Sequence, residues 1–355
     1  NNMASWSDNI RKVEPYVPGE QPKDENVIKL NTNENPYGPS PRIRDIEQNA
    51  EMLRLYPDPA ASMLVDAIAE YHGVATNQVF VGVGSDDVLA MSFLTFFNSD
   101  KPILFPDITY SFYDVWAELF RIPYERPVLD KNFRIVKEDY YRENGGVVFP
   151  NPNAPTGICQ SLADVEDIVS HNKDSIVIVD EAYIDFGGES ALALIDRYDN
   201  LVVTRTFSKS RSMAGLRIGY AISNPVLIKA MNDVKYSYNS YTMNRPSIIM
   251  GTEAVKDEEY FRDTVAKVIK TRERFVEDIK PLGFTCLDSS ANFVFATHES
   301  IPAKDIFEAA KKNHIYVRYF DAPRIDNYLR ISIGTDAEMH TFVEFLRDYV
   351  ENYKA

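Results

Sequence analysis

Short and almost entirely apolar runs alternate with helical stretches through the middle of this chain. The runs cover residues 79–81, 103–105, 147–149, 176–179, 201–203 and 218–221. Strands that are apolar on both faces belong in a sheet that is covered on both faces, and helices between such strands are typical of parallel connections. The pattern therefore predicts an α/β fold with a large, mostly parallel sheet between helices.

The pattern changes toward both ends of the chain. Residues 257–280 have the pattern of one long helix, and the strand and helix patterns beyond it indicate a smaller α+β unit. The first 60 residues are rich in proline, as expected of an extended arm. We therefore predict an arm over 1–44 that packs with the small domain, a large domain over 45–255 and a small C-terminal domain over 256–355.

Composition excludes several classes of function. The formal net charge of -15 argues against nucleic acid as a partner. No apolar run approaches the roughly 20 residues that span a bilayer, so no membrane association is expected. Cys159 and Cys286 have no paired spacing, so neither a disulfide framework nor a zinc cluster follows, and no metal is expected. With nothing that resembles a signal peptide, the cytoplasm is the expected location.

The segment after the run at 201–203 carries the strongest chemical signal. It places Lys209 beside the hydroxyls of Thr206 and Ser208, with Arg217 shortly after. A lysine in such a setting can form an imine with an aldehyde cofactor while hydroxyls and a guanidinium hold a phosphate. We expect the Arg217 charge to lower the pKa of Lys209. A lone lysine at a strand end is more often solvated, and Arg217 could instead form a surface ion pair.

A second signal is Asp180, which ends the apolar run at 176–179. Ligands of open α/β sheets bind at the carboxyl ends of strands, and a buried carboxylate needs a partner. A pyridinium nitrogen would be such a partner, although a helix N-cap is the ordinary alternative. Tyr183 lies three residues further on and could reach a phenolic oxygen of the same ring, or it could simply pack as an aromatic residue.

Two turns complete the pattern. The sequence GVGSD at 82–86 is a glycine turn that opens a helix and can present free N–H groups to an anion. Asp86 would oppose an anion there unless its side chain points away. The sequence NPNAPTG at 151–157 is a rigid turn after another apolar run. Either turn alone is weak evidence for a site.

Taken together and in this order, the segments resemble the fold-type I pyridoxal-phosphate aminotransferases over nearly the whole chain. The chain is most similar to the branch that acts on histidinol phosphate. The motifs that carry the resemblance are PYVPG at 15–19, NTNENPY at 31–37, YPD at 56–58, DEAY at 180–183, TFSK at 206–209, AGLRIG at 214–219 and LRISIGT at 329–335. The family's fold implies a seven-stranded sheet in the large, cofactor-binding domain.

The resemblance also implies roles for individual residues. Lys209, Asp180 and Tyr183 would be catalytic, through the imine, the pyridine nitrogen and the phenolic oxygen respectively. The implied cofactor-binding set is Gly84, Ser85, Asp86, Tyr110, Asn153, Asp180, Tyr183, Thr206, Ser208, Lys209 and Arg217. The implied substrate-binding set is Tyr16, Asn35, Arg318 and Arg330. Tyr56 would reach the cofactor of the partner subunit, so that a homodimer forms the site.

The implied reaction is transamination of L-histidinol phosphate with 2-oxoglutarate, which gives imidazole acetol phosphate and glutamate in histidine biosynthesis. Three alternatives stay open from the sequence: an aromatic amino-acid aminotransferase, a threonine-phosphate decarboxylase and a non-enzymatic aminotransferase-like regulator. The chain also departs from the family at Ala154, where an asparagine that contacts the phenolic oxygen is usual. Either Tyr183 makes that contact alone or Asn153 approaches it.

Overall fold

The computed structural model describes residues 5–47 and 49–355, so the first four residues of the predicted arm lie outside the described residues. The strands are β1 Ile28–Leu30, β2 Val79–Gly82, β3 Ile103–Leu104, β4 Tyr124–Glu125, β5 Gly146–Pro150, β6 Val177–Asp180, β7 Leu201–Thr206, β8 Gly219–Ile222, β9 Phe284–Cys286, β10 Phe293–His298, β11 Ile315–Tyr319 and β12 Leu329–Ser332.

The α-helices surround and connect these strands. They are α1 Pro41–Arg44, α2 Ser62–His72, α3 Ser85–Phe96, α4 Phe112–Phe120, α5 Leu162–Ser170, α6 Pro225–Tyr238, α7 Arg245–Lys256, α8 Glu258–Ile279, α9 Ala303–Lys312 and α10 Asp336–Asn352. Among the described residues, no helix has the length and apolar character that crossing a membrane requires.

The large sheet has seven strands in the order β2-β8-β7-β6-β5-β3-β4. Neighbouring strands from β7 to β4 are parallel, and β8 runs antiparallel to both β7 and β2. Alternate residues of β6 show why positions 177–179 are all apolar: Val177 and Val179 join the core on one face, while Ile178 joins the core on the other. The predicted α/β fold with a mostly parallel sheet between helices is confirmed.

A second sheet has five strands in the order β1-β11-β12-β10-β9. Its core is built largely from α8, α9, α10 and the inner faces of the strands. Strand β1, from the N-terminal arm, pairs in parallel with β11. The arm is therefore hydrogen-bonded into the sheet of the C-terminal residues, and the chain that follows β1 continues toward the carboxyl ends of the large sheet.

The carboxyl ends of β5, β6 and β7 lie side by side, with Pro150 opposite Asp180 and Asp180 opposite Thr204. In an open α/β sheet this edge is where ligands bind. The backbone also comes close here, because a Cβ at Gly219 would lie 2.4 Å from the carbonyl carbon of Gly84. Glycine at 219 therefore allows β8 to pack against the start of α3.

Candidate active site

A cavity of about 300 Å³ opens at the carboxyl ends of these strands. It is lined by most of the residues that the sequence predicted for the site, namely Tyr16, Ser85, Asp86, Tyr110, Asp180, Tyr183, Thr206, Ser208, Lys209, Arg217, Arg318 and Arg330. Residues from the arm, from both sheets and from several loops thus meet at one place. Their convergence makes this cavity the candidate active site.

Lys209 follows β7 and is held at both its backbone and its amine. The Asn35 amide donates to the Lys209 carbonyl at 3.0 Å, and the Lys209 Nζ donates to the Thr32 carbonyl at 3.1 Å. Burial, and after it the nearby Arg330 charge, lower the pKa of Lys209 to about 8. Arg217, the predicted cause, contributes less than either. A lysine with so low a pKa is partly neutral near pH 7 and can act as a nucleophile or base.

Asp180 is the last residue of β6 and is buried. The Tyr113 hydroxyl donates to its Oδ2 at 2.8 Å, and the Ala182 amide donates to its Oδ1 at 3.2 Å. Burial raises the pKa of the Asp180 carboxyl to about 6, and the hydrogen bond from Tyr113 opposes that rise. A buried carboxylate of this kind stabilises a cation placed opposite it. Tyr113 was not among the site residues predicted from the sequence, and it lies on α4 among other aromatic residues.

One wall of the cavity suits an anion. Gly84 precedes α3 with φ 96°, and a Cβ there would lie 2.4 Å from Nη2 of Arg217. Arg217 in turn donates to the Ser208 hydroxyl at 3.3 Å, and the Ser208 amide donates to the Thr206 hydroxyl at 3.0 Å. The N-terminus of α3, a guanidinium and two hydroxyls thus face one space, which is the composition of a phosphate site.

Asp86 does not oppose this anion site directly, because its Oδ1 accepts a hydrogen bond from the Tyr110 hydroxyl at 2.7 Å. Burial raises the pKa of Asp86, which favours the uncharged acid and so weakens its repulsion of an anion. The Tyr110 ring lies edge-on to the ring of Tyr16 at 6.4 Å between centroids. The two rings bring the arm against the large-sheet side of the cavity.

Two arginines supply positive charge on the other side of the cavity. Arg330 in β12 donates to the Asn31 carbonyl at 2.8 Å, while its buried Nε has no partner among the described residues. Arg318 in β11 lies 3.3 Å from the Val17 carbonyl, through Nη2. Burial lowers the pKa of Arg330, and Arg318 adds to this effect. The unpartnered Nε and the loose contacts of Arg318 leave donors for a carboxylate or phosphate of a ligand.

Four predicted residues do not line the cavity. Gly84 lies against the Arg217 guanidinium, and the side-chain amide of Asn35 donates to the Lys209 backbone. The side-chain amide of Asn153 is bonded to the segment before α4, where it donates to the Ile108 carbonyl at 3.0 Å and accepts from the Thr109 hydroxyl. Tyr56 is 78% exposed. Asn153 therefore does not fill the place of the asparagine that Ala154 replaces.

The cavity also contains residues that the sequence did not assign. Thr32, Asn33 and Glu34 line it from the segment after β1, and Phe320 lines it from the end of β11. Thr32, Asn33 and Glu34 belong to the NTNENPY motif, which pointed to this segment from the sequence but gave an individual role only to Asn35. The arm therefore contributes more to the cavity than Tyr16 alone.

The amino-acid sequence is similar to those of known aminotransferases. Residues 25–346 match the family described as aminotransferase class I and II. The chain is 51% identical to the histidinol-phosphate aminotransferase of Clostridium acetobutylicum, over 97% of this chain and 99% of that protein. It is 52% identical to the histidinol-phosphate aminotransferase of Brachyspira hyodysenteriae, over 98% of this chain and 99% of that protein.

Solved structures share the fold. A crystal structure of histidinol-phosphate aminotransferase from Clostridium acetobutylicum has a TM-score of 0.85 and 24% identity, covering 92% of this chain and 100% of that chain. The enzyme of the same name from Sinorhizobium meliloti, solved in complex with pyridoxal-5'-phosphate, has a TM-score of 0.84 and 23% identity, covering 91% of each chain.

Proposed function

The chain belongs to the aminotransferase class I and II family, and we propose that it transfers the amino group of L-histidinol phosphate to 2-oxoglutarate with pyridoxal phosphate as cofactor. The products are imidazole acetol phosphate and glutamate, as in histidine biosynthesis. The observation that carries the proposal is identity of about half to histidinol-phosphate aminotransferases over nearly the full length of both chains. The cavity supports it with a nucleophilic lysine, an anion site and two further arginines.

The residues present fit pyridoxal phosphate. The wall formed by Ser85, Ser208 and Arg217 suits the phosphate, and the absence of a side chain at Gly84 leaves room for the Arg217 guanidinium. Asp180 suits the ring nitrogen, since its buried carboxylate has two protein donors and gains from a cation opposite. Tyr183 suits the phenolic oxygen. Ser85, Thr206, Asp86 and Tyr110 line the same part of the cavity and would complete the binding set.

When bound, pyridoxal phosphate supplies an electron-accepting ring that stabilises negative charge at the α-carbon of the substrate. Lys209 holds the cofactor through its amine and then moves the proton of the substrate α-carbon, as base and afterwards as acid. Asp180 keeps the ring nitrogen protonated. Arg217 and Ser208 fix the phosphate, so that the reacting atoms stay in place while Lys209 works.

We assign substrate recognition to the cationic side of the cavity. Arg318 and Arg330 bind the phosphate of histidinol phosphate, and Tyr16 closes the cavity over it from the arm. The same arginines bind a carboxylate of 2-oxoglutarate in the second half-reaction. Asn35 supports binding indirectly, by holding the Lys209 backbone. These local cations allow an anionic substrate to bind a chain whose formal net charge is -15.

We further propose that the protein acts as a homodimer in the cytoplasm. Tyr56 is exposed and stacks on Tyr241 at 4.6 Å between ring centroids, so its ring is available to a second subunit. In this proposal Tyr56 contacts the cofactor phosphate of the partner. The division into an arm (1–44), a large cofactor-binding domain (45–255) and a small domain (256–355) stays part of the same proposal.

The test is a substrate comparison with purified protein, pyridoxal phosphate and 2-oxoglutarate. Histidinol phosphate should give a kcat/KM about 100-fold or more above those of phenylalanine and tyrosine, because a site built for a phosphate leaves buried cations unpaired without one. Threonine phosphate should release no carbon dioxide. Equal turnover of the aromatic amino acids, or carbon dioxide release, would replace the proposal with one of the other two reactions. A Lys209→Ala variant serves as the inactive control.

A further inference from the structure

Asn33 is a buried residue that joins the N-terminal arm to Tyr183. Its side-chain amide nitrogen donates to the Tyr183 hydroxyl at 3.1 Å, and its Oδ1 accepts from the Ser332 hydroxyl at 2.8 Å. Its backbone amide donates to the same Ser332 hydroxyl at 2.9 Å, and its carbonyl accepts from Asn292 at 2.8 Å. Every polar group of Asn33 is thus paired, and only one of these bonds reaches a residue of the predicted catalytic set.

This network fixes the direction of each hydrogen bond. Ser332 accepts from the Asn33 backbone amide, so its single hydroxyl proton is free to go to Oδ1 of Asn33. The amide oxygen is therefore turned toward Ser332, and the NH₂ group is turned toward Tyr183. Because the Tyr183 oxygen accepts from Asn33, its own proton is left to donate elsewhere. Among the described residues, Asn33 is the only hydrogen-bond partner of that hydroxyl.

The backbone makes Asn33 a specific choice at this place. Its φ is 59°, in the left-handed region that asparagine tolerates better than most residues. Position 154, on the large-sheet side of the cavity, holds an alanine that offers no side-chain donor. The amide nearest the Tyr183 hydroxyl therefore comes from the arm rather than from the loop after β5.

We propose that Asn33 is a positioning residue, which keeps the Tyr183 hydroxyl oriented as a hydrogen-bond donor toward the phenolic oxygen of bound pyridoxal phosphate. This inference rests on the proposed function. A phenol that accepts a hydrogen bond from an amide is a better donor, so Asn33 strengthens the bond that Tyr183 makes. A donor at the phenolic oxygen stabilises its anionic form and lowers the pH at which the lysine-bound cofactor loses its proton.

The test is a pH titration of the visible absorbance of the bound cofactor, which does not depend on turnover. Tyr183→Phe should raise the titration midpoint by about one pH unit, the size expected for a hydrogen bond to a charged group. Asn33→Gly, which keeps the left-handed backbone, should raise it by about half a unit in the wild-type background. In the Tyr183→Phe background, Asn33→Gly should leave the midpoint unchanged, because the two changes remove parts of one interaction.

Two further variants sharpen the result. Asn33→Asp matches asparagine in size but offers an acceptor to Tyr183, so its shift should be larger in the wild-type background than with Tyr183→Phe. Asn31→Ala is the matched control, since Asn31 is a buried asparagine in the same segment whose side chain donates to the Glu20 carbonyl and not to Tyr183. It should leave the midpoint unchanged.

Equal shifts in both backgrounds, or no shift from either Asn33 variant, would overturn the role of Asn33. If the wild-type protein formed no chromophore that titrates, the proposal that pyridoxal phosphate is the cofactor would be contradicted instead. The two failures are therefore distinguishable. A structural role for Asn33 in docking the arm would lower stability in both backgrounds without coupling to Tyr183.

Discussion

The Tyr113 hydroxyl donates to the Asp180 carboxylate at 2.8 Å, between two groups that are both buried. Tyr113 projects from α4, and its ring packs among Phe93, Phe105 and Trp116. The aromatic cluster therefore holds the donor in place. Burial alone would favour a neutral Asp180, and the bond from Tyr113 shifts the balance back toward the carboxylate, the form that the proposed pairing with a protonated ring nitrogen requires.

Tyr113→Phe should impair catalysis without impairing folding. Loss of the donor raises the pKa of Asp180 further above its present value of about 6. A hydrogen bond to a charged group contributes about 1.5–3 kcal/mol, so kcat should fall about tenfold or more. The acidic limb of the kcat–pH profile should move to higher pH, which steady-state kinetics over a pH series would measure.

Tyr140→Phe is the matched control for this prediction. Tyr140 is also buried, but its hydroxyl has no partner among the described residues, and it is not in the cavity lining. Removing that hydroxyl should leave kcat unchanged and should not lower the free energy of unfolding. An unchanged pH profile in Tyr113→Phe would contradict a role for Tyr113 in controlling Asp180.

Reaction of the apoprotein with pyridoxal phosphate should depend on pH with a midpoint of about 8, the pKa to which burial lowers Lys209. Below that pH the amine is protonated and cannot attack the aldehyde, so the rate should rise with pH and then level off. Stopped-flow absorbance at saturating cofactor would measure it. Arg330→Gln removes a charge that lowers this pKa, and the midpoint should move upward. A midpoint near that of a free lysine in the wild type would refute the prediction.

The pair formed by Arg205 and Glu181 should be the main electrostatic contribution to stability near the site. Nε of Arg205 lies 2.9 Å from Oε1 of Glu181, and both side chains are buried. Arg205→Met leaves a buried carboxylate without its cation, so the free energy of unfolding should fall by about 3–5 kcal/mol. Urea denaturation would measure the change.

Two comparisons test whether burial of the ion pair causes the loss of stability expected from Arg205→Met. Arg205→Met with Glu181→Leu should recover most of the loss, because the fully buried carboxylate is then gone. Asp185, which also pairs with Arg205, is partly exposed and keeps its hydrogen bond from Ser210. Lys229→Met breaks an exposed pair with Asp233 and should cost less than about 0.5 kcal/mol. Equal losses from Arg205→Met and Lys229→Met would contradict the prediction.

The large sheet could be predicted from the sequence because each strand carries its own signal. The run at 147–149, for example, lies inside β5, and its apolar residues need no knowledge of their neighbours to indicate burial. Strand β1 gave no such signal. It has three residues, and its hydrogen bonds come from β11 near the other end of the chain, so only the folded structure defines it.

The same distinction applies to the cavity. Asp180 ends one apolar strand and Lys209 follows another, at the edge of the sheet where topology alone favours a ligand. Tyr113 and Asn33 could not be assigned in this way, because their roles depend on which atom of a distant residue lies within reach. An aromatic residue in a helix such as α4 ordinarily indicates packing, and an asparagine after a short strand ordinarily indicates a turn. The contacts of the proposed catalytic groups were thus harder to predict than the place of those groups in the cavity.

The proposed contribution of Tyr56 to the partner's site predicts that two inactive variants restore each other. Lys209→Ala subunits keep Tyr56, and Tyr56→Ala subunits keep Lys209. After subunit exchange about half of the dimers are hybrids with one intact site, so the mixture should reach about a quarter of wild-type activity. Each variant alone should be far less active. Lys209→Ala mixed with Lys209→Ala/Tyr56→Ala is the control, since no pairing restores a lysine. Activity of the first mixture no higher than the mean of its two components would show that each subunit completes its own site.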